Sequence, residues 1–201
     1  EEDALRRDFT VNALYYNTAD FTVIDYTGGM RDLQERILRC IGDPMERYTE
    51  DPVRMIRAVR FAASLDLRIE PAAEEAIRVR REHLAQASSS RMYEEVQKLF
   101  LCGQALRVLR QLDETGLLAV LFPEHVAHLE AHPGDRAWVD GVMRQVDRWR
   151  QADKPVHPEL LFTLFFGKLH EHRARALQAR GVPPVPAAEE AVREHMGRLK
   201  Q

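Results

Sequence analysis

The sequence changes character near residue 50, and this change restricts the possible folds more than any other feature. Before it, two short segments rich in β-branched residues, 21–26 and 37–41, lie on either side of a Gly-Gly turn, a composition typical of strands. After it, every segment has helical periodicity. The sequence therefore predicts an α+β protein that is mostly α, with a small α/β portion followed by an array of helices.

The predicted helices after residue 50 carry apolar residues at spacings of three and four. They are expected at 52–65, 71–84, 91–102, 105–112, 138–149, 160–169, 172–180 and 187–199. The segment Pro183-Pro184-Val185-Pro186 is expected to be a stiff linker before the last helix. In the first part, a short helix is expected at 31–36, and residues 10–16 fit either a helix capped by Asp8 or a strand.

Composition limits the partners that the chain can have. Its 201 residues, 45% of them hydrophobic, can bury a sizeable core, and its net charge of −3 lacks the surplus of Lys and Arg of a strongly basic RNA-binding module. No apolar run approaches the roughly 20 residues that span a bilayer, so no membrane partner is expected. Cys40 and Cys102 are expected to be buried thiols in a reducing cytoplasm. The opening on Glu1, without Met, is interpreted as a cut inside a longer protein.

A pair of side chains at the start of the first long helix is suited to reading a nucleobase. Asp51 and Arg54 are three residues apart, so they share a helix face. The carboxylate only accepts hydrogen bonds and the guanidinium only donates them. Together they complement an amino group beside an unprotonated ring nitrogen, an edge that adenine and cytosine present and guanine and uracil do not. Each inverted contact costs roughly 1–3 kcal/mol, which predicts a preference on the order of a hundredfold for A and C.

Local rules also give a structural interpretation of the same residues. Pro52 suits the first helical position, which would make Asp51 an ordinary N-cap whose oxygens accept backbone N–H groups. The earlier stretch Arg6-Arg7-Asp8 is similarly open. Its arginines could pair with phosphates while its carboxylate accepts a ribose hydroxyl, or Asp8 could cap a helix after two solvated arginines. From the residues alone, both interpretations stand.

Three longer stretches surround these residues. They read RRDFTVNAL at 6–14, DYTGGMRDL at 25–33 and RCIGDPMERYTEDPVRMIRAVRFAA at 39–63. In order and spacing they resemble the nucleotide-binding core of the bacterial class II RNA nucleotidyltransferases, the family of poly(A) polymerases and CCA-adding enzymes, and most of all its poly(A) branch. The close resemblance covers residues 6–67, and a looser one continues to residue 101.

The resemblance implies nucleotide-binding roles for matching residues. The Arg-Arg-Asp stretch reads the ribose in this family, which implies Arg7 and Asp8. The Glu-Asp-x-x-Arg stretch recognises the base, which implies Asp51 and Arg54. Arg57 is expected to line the same nucleotide site.

Other matching residues are expected to support the site. The Gly-Gly segment resembles a hinge-like linker with Asp32 and Arg39 as its supports, and Arg91 with Glu94 or Glu95 resembles a later motif whose ion pair steadies a helix turn. The residues expected as supports are Arg6, Glu50, Asp32, Arg39, Arg91 and Glu94.

The family's metal ligands are not among these residues. In the family, an Asp-x-Asp strand after a Gly-Gly turn binds two Mg²⁺ ions for phosphoryl transfer. Residues 28–32 superficially resemble that turn, but no Asp-x-Asp strand follows them. The resemblance implies ATP as substrate and Mg²⁺ as cofactor, with the metal ligands expected upstream of Glu1. We therefore expect no catalytic or metal-binding residue here, and a piece that recognises nucleotide without polymerising.

The resulting functional prediction is template-independent addition of adenosines to RNA 3′ ends from ATP. The domains expected are the rear of a nucleotidyltransferase head at 1–48, a neck with the recognition helices at 49–115, and part of a helical RNA-binding body at 116–201. A CCA-adding tRNA nucleotidyltransferase is an alternative, because the base-edge argument accepts A and C equally. A non-catalytic helical module that contacts RNA or protein is a second alternative, and an Asp-x-Asp strand upstream of Glu1 would argue against it.

Three histidines have the spacing of ligands on one helix face: His125, His128 and His132. No neighbouring cysteine or carboxylate completes a tetrahedral set for them. They are therefore expected to lie on a solvated face, and no metal site is predicted.

Overall fold

A computed structural model of the protein describes residues 2–198 and divides into two compact units after Pro123. Helices dominate both units, and the four strands among the described residues all lie in the first one. This confirms the predicted mostly α fold with a small α/β portion. Within residues 2–198, no helix combines the length and the apolar composition that a bilayer crossing requires.

The β-structure of the first unit consists of two short strand pairs. β1 (Leu14–Asn17) and β2 (Thr22–Asp25) form an antiparallel hairpin. β3 (Ile37–Leu38) lies parallel to β4 (Arg68–Ile69), and this pair joins the early part of the chain to the helical part.

These pairs settle the ambiguous segments of the sequence. The strand predicted at 21–26 is confirmed by β2. The segment predicted at 37–41 begins with β3, and Cys40 then makes an isolated antiparallel bridge to Phe9. The segment that fitted either a helix or a strand is divided between a 3-10 turn, Thr10–Asn12, and the strand β1.

Four helices of the first unit, at 53–64, 71–80, 89–100 and 105–114, bury the apolar faces that their spacing predicts. The helices at 2–6, 44–50 and 117–121 were not predicted from the sequence. In chain order, the helices of the unit are α1 (Glu2–Arg6), α2 (Gly29–Glu35), α3 (Pro44–Glu50), α4 (Val53–Ser64), α5 (Pro71–Arg80), α6 (Ser89–Phe100), α7 (Ala105–Glu114) and α8 (Leu117–Leu121). The predicted stripe of Val53, Ile56, Val59 and Ala63 is buried on α4. This helix contacts α3, α6, α7 and both strands of the parallel pair, so it is the centre of the unit.

The second unit is entirely helical in its described part. Its helices are α9 (Pro123–Ala131), which begins at the boundary, α10 (Arg136–Gln151), α11 (Pro158–Phe165), α12 (Gly167–Ala179) and α13 (Pro184–Arg198). Small buried side chains, Ala174 of α12 with Ala187 and Ala191 of α13, allow the last two helices to pack closely.

Two predicted helices end earlier than expected. The helix predicted at 71–84 ends as α5 at Arg80, and the chain continues as a 3-10 segment. The helix predicted at 160–169 is divided at Phe166 between α11 and α12. The glycine that follows this break has a low helix propensity.

The prediction of a proline linker at 183–186 is wrong. Helix α13 begins at Pro184 and includes Pro186 in its first turn. The N–H groups of a first helical turn have no intrahelical partner, so proline is tolerated there. The predicted end of this helix, Leu199, lies outside the described residues.

The prediction that the α9 histidines form a solvated face is also wrong. His125 and His128 are 0% and 7% exposed, and of the three only His132 is exposed. The His125 ring lies 4.2 Å from the Phe165 ring and 5.4 Å from the Phe166 ring, centre to centre. Burial lowers the pKa of His125 to about 3, so this ring is neutral at neutral pH.

The Gly-Gly segment docks α2 on the 3-10 turn. Gly28 has φ = 83°, in the left-handed region that favours glycine. A Cβ on Gly29 would lie 2.3 Å from the carbonyl oxygen of Thr10, so this approach requires glycine. The Asp25 carboxylate accepts hydrogen bonds from the four backbone N–H groups of residues 27–30 at 2.9–3.1 Å. Burial raises the pKa of Asp25, but these donors outweigh it and hold the pKa below its usual value.

Asp32 and Arg39, expected as supports, meet at the same turn. The Asp32 side chain is 5% exposed and accepts a hydrogen bond from Thr10 Oγ1 at 2.7 Å. Arg39 Nε donates to both Asp32 oxygens, at 3.1 and 3.2 Å, and Arg39 also pairs with Glu70. The buried Asp32 charge is therefore compensated by a cation that the rest of the fold holds in place.

Replacing Gly29 by Ala is expected to destabilise the fold more than replacing Gly28. The new methyl group in G29A meets the Thr10 carbonyl and forces α2 to move, at about 3 kcal/mol. In G28A the methyl group meets nothing within 4 Å, so the loss is the left-handed backbone preference alone, about 1 kcal/mol. Urea unfolding followed by circular dichroism measures both losses. Equal losses would contradict the close approach.

Neutralising Asp32 is expected to lower the free energy of unfolding by about 2 kcal/mol. In D32N the Thr10 hydroxyl and Arg39 lose their anionic partner, although Arg39 keeps Glu70. The matched control is E130Q, which neutralises an exposed carboxylate of α9 and should change the free energy by less than about 0.5 kcal/mol. Chemical denaturation of both variants is the measurement, and a D32N loss no greater than that of E130Q would refute the role of Asp32.

Candidate nucleotide-binding site

Asp8 is at the centre of the candidate site. Its carbonyl accepts a hydrogen bond from the Ile41 N–H at 3.1 Å, and the turn that follows it is N-capped by Phe9, so Asp8 is not a helix cap. Its side chain, 15% exposed, accepts hydrogen bonds from Arg54 Nε at 3.0 Å and Arg57 Nε at 2.7 Å, one on each oxygen. The two arginines are three residues apart on α4 and share a face. Three of the expected nucleotide-binding residues are thus brought together.

Glu95 of α6 contacts Arg57 of α4. The Glu95 carboxylate lies 3.6 Å from Arg57 Nη1 and 3.6 Å from Arg60 Nη2, and it accepts a hydrogen bond from Lys98 Nζ at 2.9 Å. Glu95 is 8% exposed. Glu94, expected in the supporting role, is exposed, so the structure assigns this contact to its neighbour.

Asp51 lies at the junction where α3 ends and α4 begins. Its Oδ1 accepts one backbone N–H, that of Val53, at 3.3 Å, and its Oδ2 accepts a hydrogen bond from Arg91 Nη2 at 2.8 Å. The side chain is 24% exposed. Asp51 has an extended backbone and Pro52 is already helical, so the contact with Val53 is a helix cap of the kind that the structural interpretation expects. One Asp51 oxygen therefore caps α4, and the other contacts Arg91 instead. Arg91 pairs with Asp51 rather than with Glu94.

Arg54 connects Asp8 to the end of α3. Its Nη1 donates to the Arg47 carbonyl at 3.1 Å and to the Glu50 carboxylate at 3.0 Å. The Arg54 contact lowers the pKa of Glu50. Within residues 2–198, Arg54 Nη2 makes no hydrogen bond, so this end of the guanidinium can donate to a ligand. Glu50, expected to brace the site, does so through Arg54.

Arg47 is a site residue that the sequence did not reveal. Its Nη2 donates to the carbonyls of Arg6 and Arg7, at 3.1 and 2.9 Å, and its Nη1 donates to Glu50 at 3.0 Å. These bonds fix the backbone immediately before Asp8. The sequence signals of Arg47 were its place in the stretch 39–63 and its spacing of three from Glu50, which is common on helix surfaces.

The side chains of Arg6 and Arg7 are exposed. Arg7 Nη2 donates to Asp3 at 2.9 Å, and the Tyr15 hydroxyl donates to the same Asp3 oxygen at 2.7 Å. In the described part of the chain, neither arginine forms an ion pair with Asp8. The structure therefore gathers Asp8, but not the two arginines before it, into the cluster.

Two buried titratable groups lie close to these charges. Cys40 and Tyr48 are 5% and 0% exposed. Burial raises the pKa of Cys40 to about 11 and raises that of Tyr48 as well, so both groups are neutral at neutral pH. The buried thiol predicted for Cys40 is confirmed, while Cys102 is half-buried. The charge at the site is consequently that of its carboxylates and arginines.

The residues around Asp8 do not fit a Mg²⁺ ion. Both Asp8 oxygens already accept guanidinium N–H groups, and nearby guanidinium charges repel a divalent cation. Within residues 2–198, neither Asp8 nor Asp51 belongs to a group of three His, Cys, Asp or Glu ligand atoms close enough to share a metal ion. The arrangement of fixed carboxylates and a partly unused guanidinium fits a polar organic ligand instead.

Two family models match the chain. The model described as "Poly A polymerase head domain" matches residues 1–39, where Asp8 lies. The model described as "Probable RNA and SrmB- binding site of polymerase A" matches residues 66–129.

Known proteins match over longer spans. Poly(A) polymerase I of Salmonella typhi is 45% identical over 169 residues, which cover 83% of this chain and 36% of that protein. The CCA-adding enzyme of Bacillus licheniformis is 42% identical over 117 residues, or 58% of this chain and 29% of that protein. The crystal structure of the Bacillus stearothermophilus CCA-adding enzyme in complex with CTP has a TM-score of 0.55 and 30% identity, covering 98% of this chain and 59% of that chain.

The chain thus spans well under half the length of these two curated relatives. The family models, the relatives and the solved structure nevertheless agree on one assignment. The chain belongs to the family of RNA nucleotidyltransferases that contains poly(A) polymerases and CCA-adding enzymes.

Proposed function

We propose that this chain recognises the nucleotide in an enzyme that uses ATP to add adenosines to RNA 3′ ends. In this reaction an RNA 3′-hydroxyl attacks the α-phosphate of ATP and pyrophosphate leaves. The observation that carries the proposal is the cluster of Asp8 with Arg54 and Arg57, because it unites the two stretches expected to read the ribose and the base.

Asp8 is proposed to bind the ribose. Each Asp8 oxygen accepts one guanidinium N–H, and a carboxylate oxygen can accept a second hydrogen bond. A ribose hydroxyl is a donor that fits this remaining capacity. Arg54 and Arg57 fix the carboxylate in one orientation, so its geometry exists before the nucleotide arrives.

Asp51 and Arg54 are proposed to read the base. Arg54 Nη2 supplies an N–H to the adenine ring nitrogen N1, and Asp51 accepts the N6 amino group. Each Asp51 oxygen has one contact and keeps acceptor capacity. Guanine would face the carboxylate with a carbonyl and the guanidinium with an N–H, and each such mismatch costs about 1–3 kcal/mol.

Arg6 and Arg7 are proposed to contact the triphosphate. Both side chains are exposed, their backbone is fixed by Arg47, and a guanidinium can bind phosphate with two parallel hydrogen bonds. Arg7 would exchange Asp3 for a phosphate. An exposed ion pair contributes at most about 1 kcal/mol, so the contact with phosphate would offset the loss of the pair with Asp3.

The remaining parts of the protein have separate proposed roles. We assign 1–48 to the head, 49–115 to the neck and 116–201 to a body that contacts RNA, and the family match at 66–129 supports RNA binding by the helical part. Mg²⁺ is the metal of this chemistry, but the residues around Asp8 do not fit it, so we assign only binding and orientation to them. The unpaired thiols suit the cytoplasmic location that we propose.

Poly(A) addition is favoured over CCA addition by the extent of the similarity. The similarity to a poly(A) polymerase I extends over 83% of the chain and that to a CCA-adding enzyme over 58%. The base-reading pair does not discriminate between these functions, because cytosine presents the same edge as adenine. CCA addition is therefore the second candidate function, supported by the fold shared with CCA-adding enzymes.

Calorimetric titration of the 201-residue chain with ATP and with GTP tests the base-reading pair. We expect the wild type to bind ATP at least about tenfold more tightly than GTP. D51N replaces a pure acceptor by an amide that also donates, so the ATP-to-GTP ratio should fall by about tenfold. D8N removes a contact common to both nucleotides and should weaken both equally.

The matched control is E46Q, which neutralises an exposed carboxylate on α3 and should leave both affinities unchanged. A D51N chain with the wild-type ratio would exclude Asp51 from base recognition. A D8N chain that binds ATP as tightly as the wild type would exclude the ribose role.

A primer-extension assay distinguishes the two candidate functions. The protein that carries this chain, in its full length, is given ATP or CTP with a tRNA lacking its 3′ CCA and with an unstructured RNA. We expect long adenosine tails on the unstructured RNA and no addition of CTP. Robust CTP addition to the tRNA would reject poly(A) addition in favour of the CCA alternative.

A further inference from the structure

The second unit brings three potential metal ligands to one point. His128 of α9, Asp135 at the end of the 3-10 turn Pro133–Asp135 and His172 of α12 have ligand atoms that all lie within 4.8 Å of one another. The Nε2 atoms of His128 and His172 lie 2.9 and 3.2 Å from the same oxygen, Asp135 Oδ2. The ligands of a tetrahedral ion with bonds of about 2.0–2.1 Å stand about 3.4 Å apart. Small side-chain shifts therefore suffice to place an ion among these atoms.

The surroundings hold the ligands in place and leave one side open. The side chains of His128, Asp135 and His172 are 5%, 18% and 34% exposed. The His132 ring lies 4.6 Å from the His128 ring and 4.2 Å from the His172 ring. His132 Nδ1 contacts the His128 carbonyl oxygen at 3.1 Å, which fixes the His132 ring against both. The His132 ring therefore restricts the orientations of both imidazoles by packing against them.

The ligand types indicate which ion fits. Two imidazoles and one carboxylate suit Zn²⁺ and similar first-row transition metals, whereas Mg²⁺ and Ca²⁺ require oxygen ligands.

We propose that His128, Asp135 and His172 bind one divalent ion of the Zn²⁺ type, with water in the fourth position. The three ligands come from α9, the adjoining 3-10 turn and α12. The ion would therefore tie α12 to the segment that carries His128 and Asp135, and so stabilise the second unit. This site differs from the nucleotide site in residues, in ligand chemistry and in unit. Its existence does not depend on the proposed function.

Zn²⁺ titration of the untagged 201-residue chain tests the site, with calorimetry for affinity and metal analysis after dialysis for stoichiometry. The wild type is expected to retain one Zn²⁺ per chain, to unfold at a higher temperature with Zn²⁺, and to keep the ion in excess Mg²⁺. D135N and H172Q are each expected to weaken Zn²⁺ binding by at least about tenfold.

Two control variants remove histidines outside the cluster. H157Q removes an exposed imidazole, and H170Q removes one ring of another close pair, in which His170 Nε2 lies 2.9 Å from His195 Nδ1. Both are expected to bind Zn²⁺ as the wild type does. Co²⁺ in place of Zn²⁺ should give the visible absorption of a four-coordinate ion in the wild type and not in H172Q.

Circular dichroism shows whether each variant folds. Asp135 immediately precedes α10, so if D135N unfolds, H172Q in the middle of α12 decides. Failure of the wild type to retain Zn²⁺, unchanged affinity in H172Q, or a loss in H170Q that equals the loss in H172Q overturns the proposal.

Discussion

The rest of the first unit depends on the charge of Asp8, which Arg54 and Arg57 hold between them. These contacts join residues 46 and 49 positions apart in the chain, and they attach the segment before the hairpin to the central helix. Removing the partners of a largely buried carboxylate leaves an uncompensated charge, at a cost of several kcal/mol. The Glu95 carboxylate in turn compensates the positive charges of Arg57 and Arg60 on α4. Opposite charges therefore alternate from Asp8 through Arg57 of α4 to Glu95 of α6.

Helix α4 carries both buried core residues and the arginines of the candidate nucleotide site. Its apolar residues Ile56 and Val59 are fully buried, and Arg54 and Arg57, two residues before each of them, project from another face. Because each residue turns the helix by about 100°, side chains two residues apart lie about 200° apart around the helix axis. The guanidinium groups therefore inherit the rigidity of the core, and a packing defect beneath α4 would displace them.

Local periodicity made most of the helices after residue 50 and the buried stripe of α4 predictable. The family resemblance supplied the roles that we propose for Asp8, Asp51 and Arg54, which spacing left open. Contacts between distant residues were not predictable in the same way. Nothing in the sequence fixes an ion pair across 46 residues, and the choice of Glu95 over Glu94 depends on how α6 rotates against its neighbours. The histidines of α9 misled for a related reason: the partners of His128 belong to other segments of the second unit.

The contacts of Arg54 have a further consequence. Arg54 contacts Asp8 with one nitrogen and Glu50 with another, and its third nitrogen makes no hydrogen bond within the part of the chain that the structure describes. In the proposed function, the Arg54 side chain contacts both the base and the Asp8 carboxylate, which binds the sugar. A substitution of Arg54 itself is then expected to change the selectivity for the base and the affinity for the sugar together. During evolution, a substitution of Arg54 that changed the preferred nucleobase would also lower the affinity for every nucleotide. Restoring that affinity would require a second substitution elsewhere in the cluster.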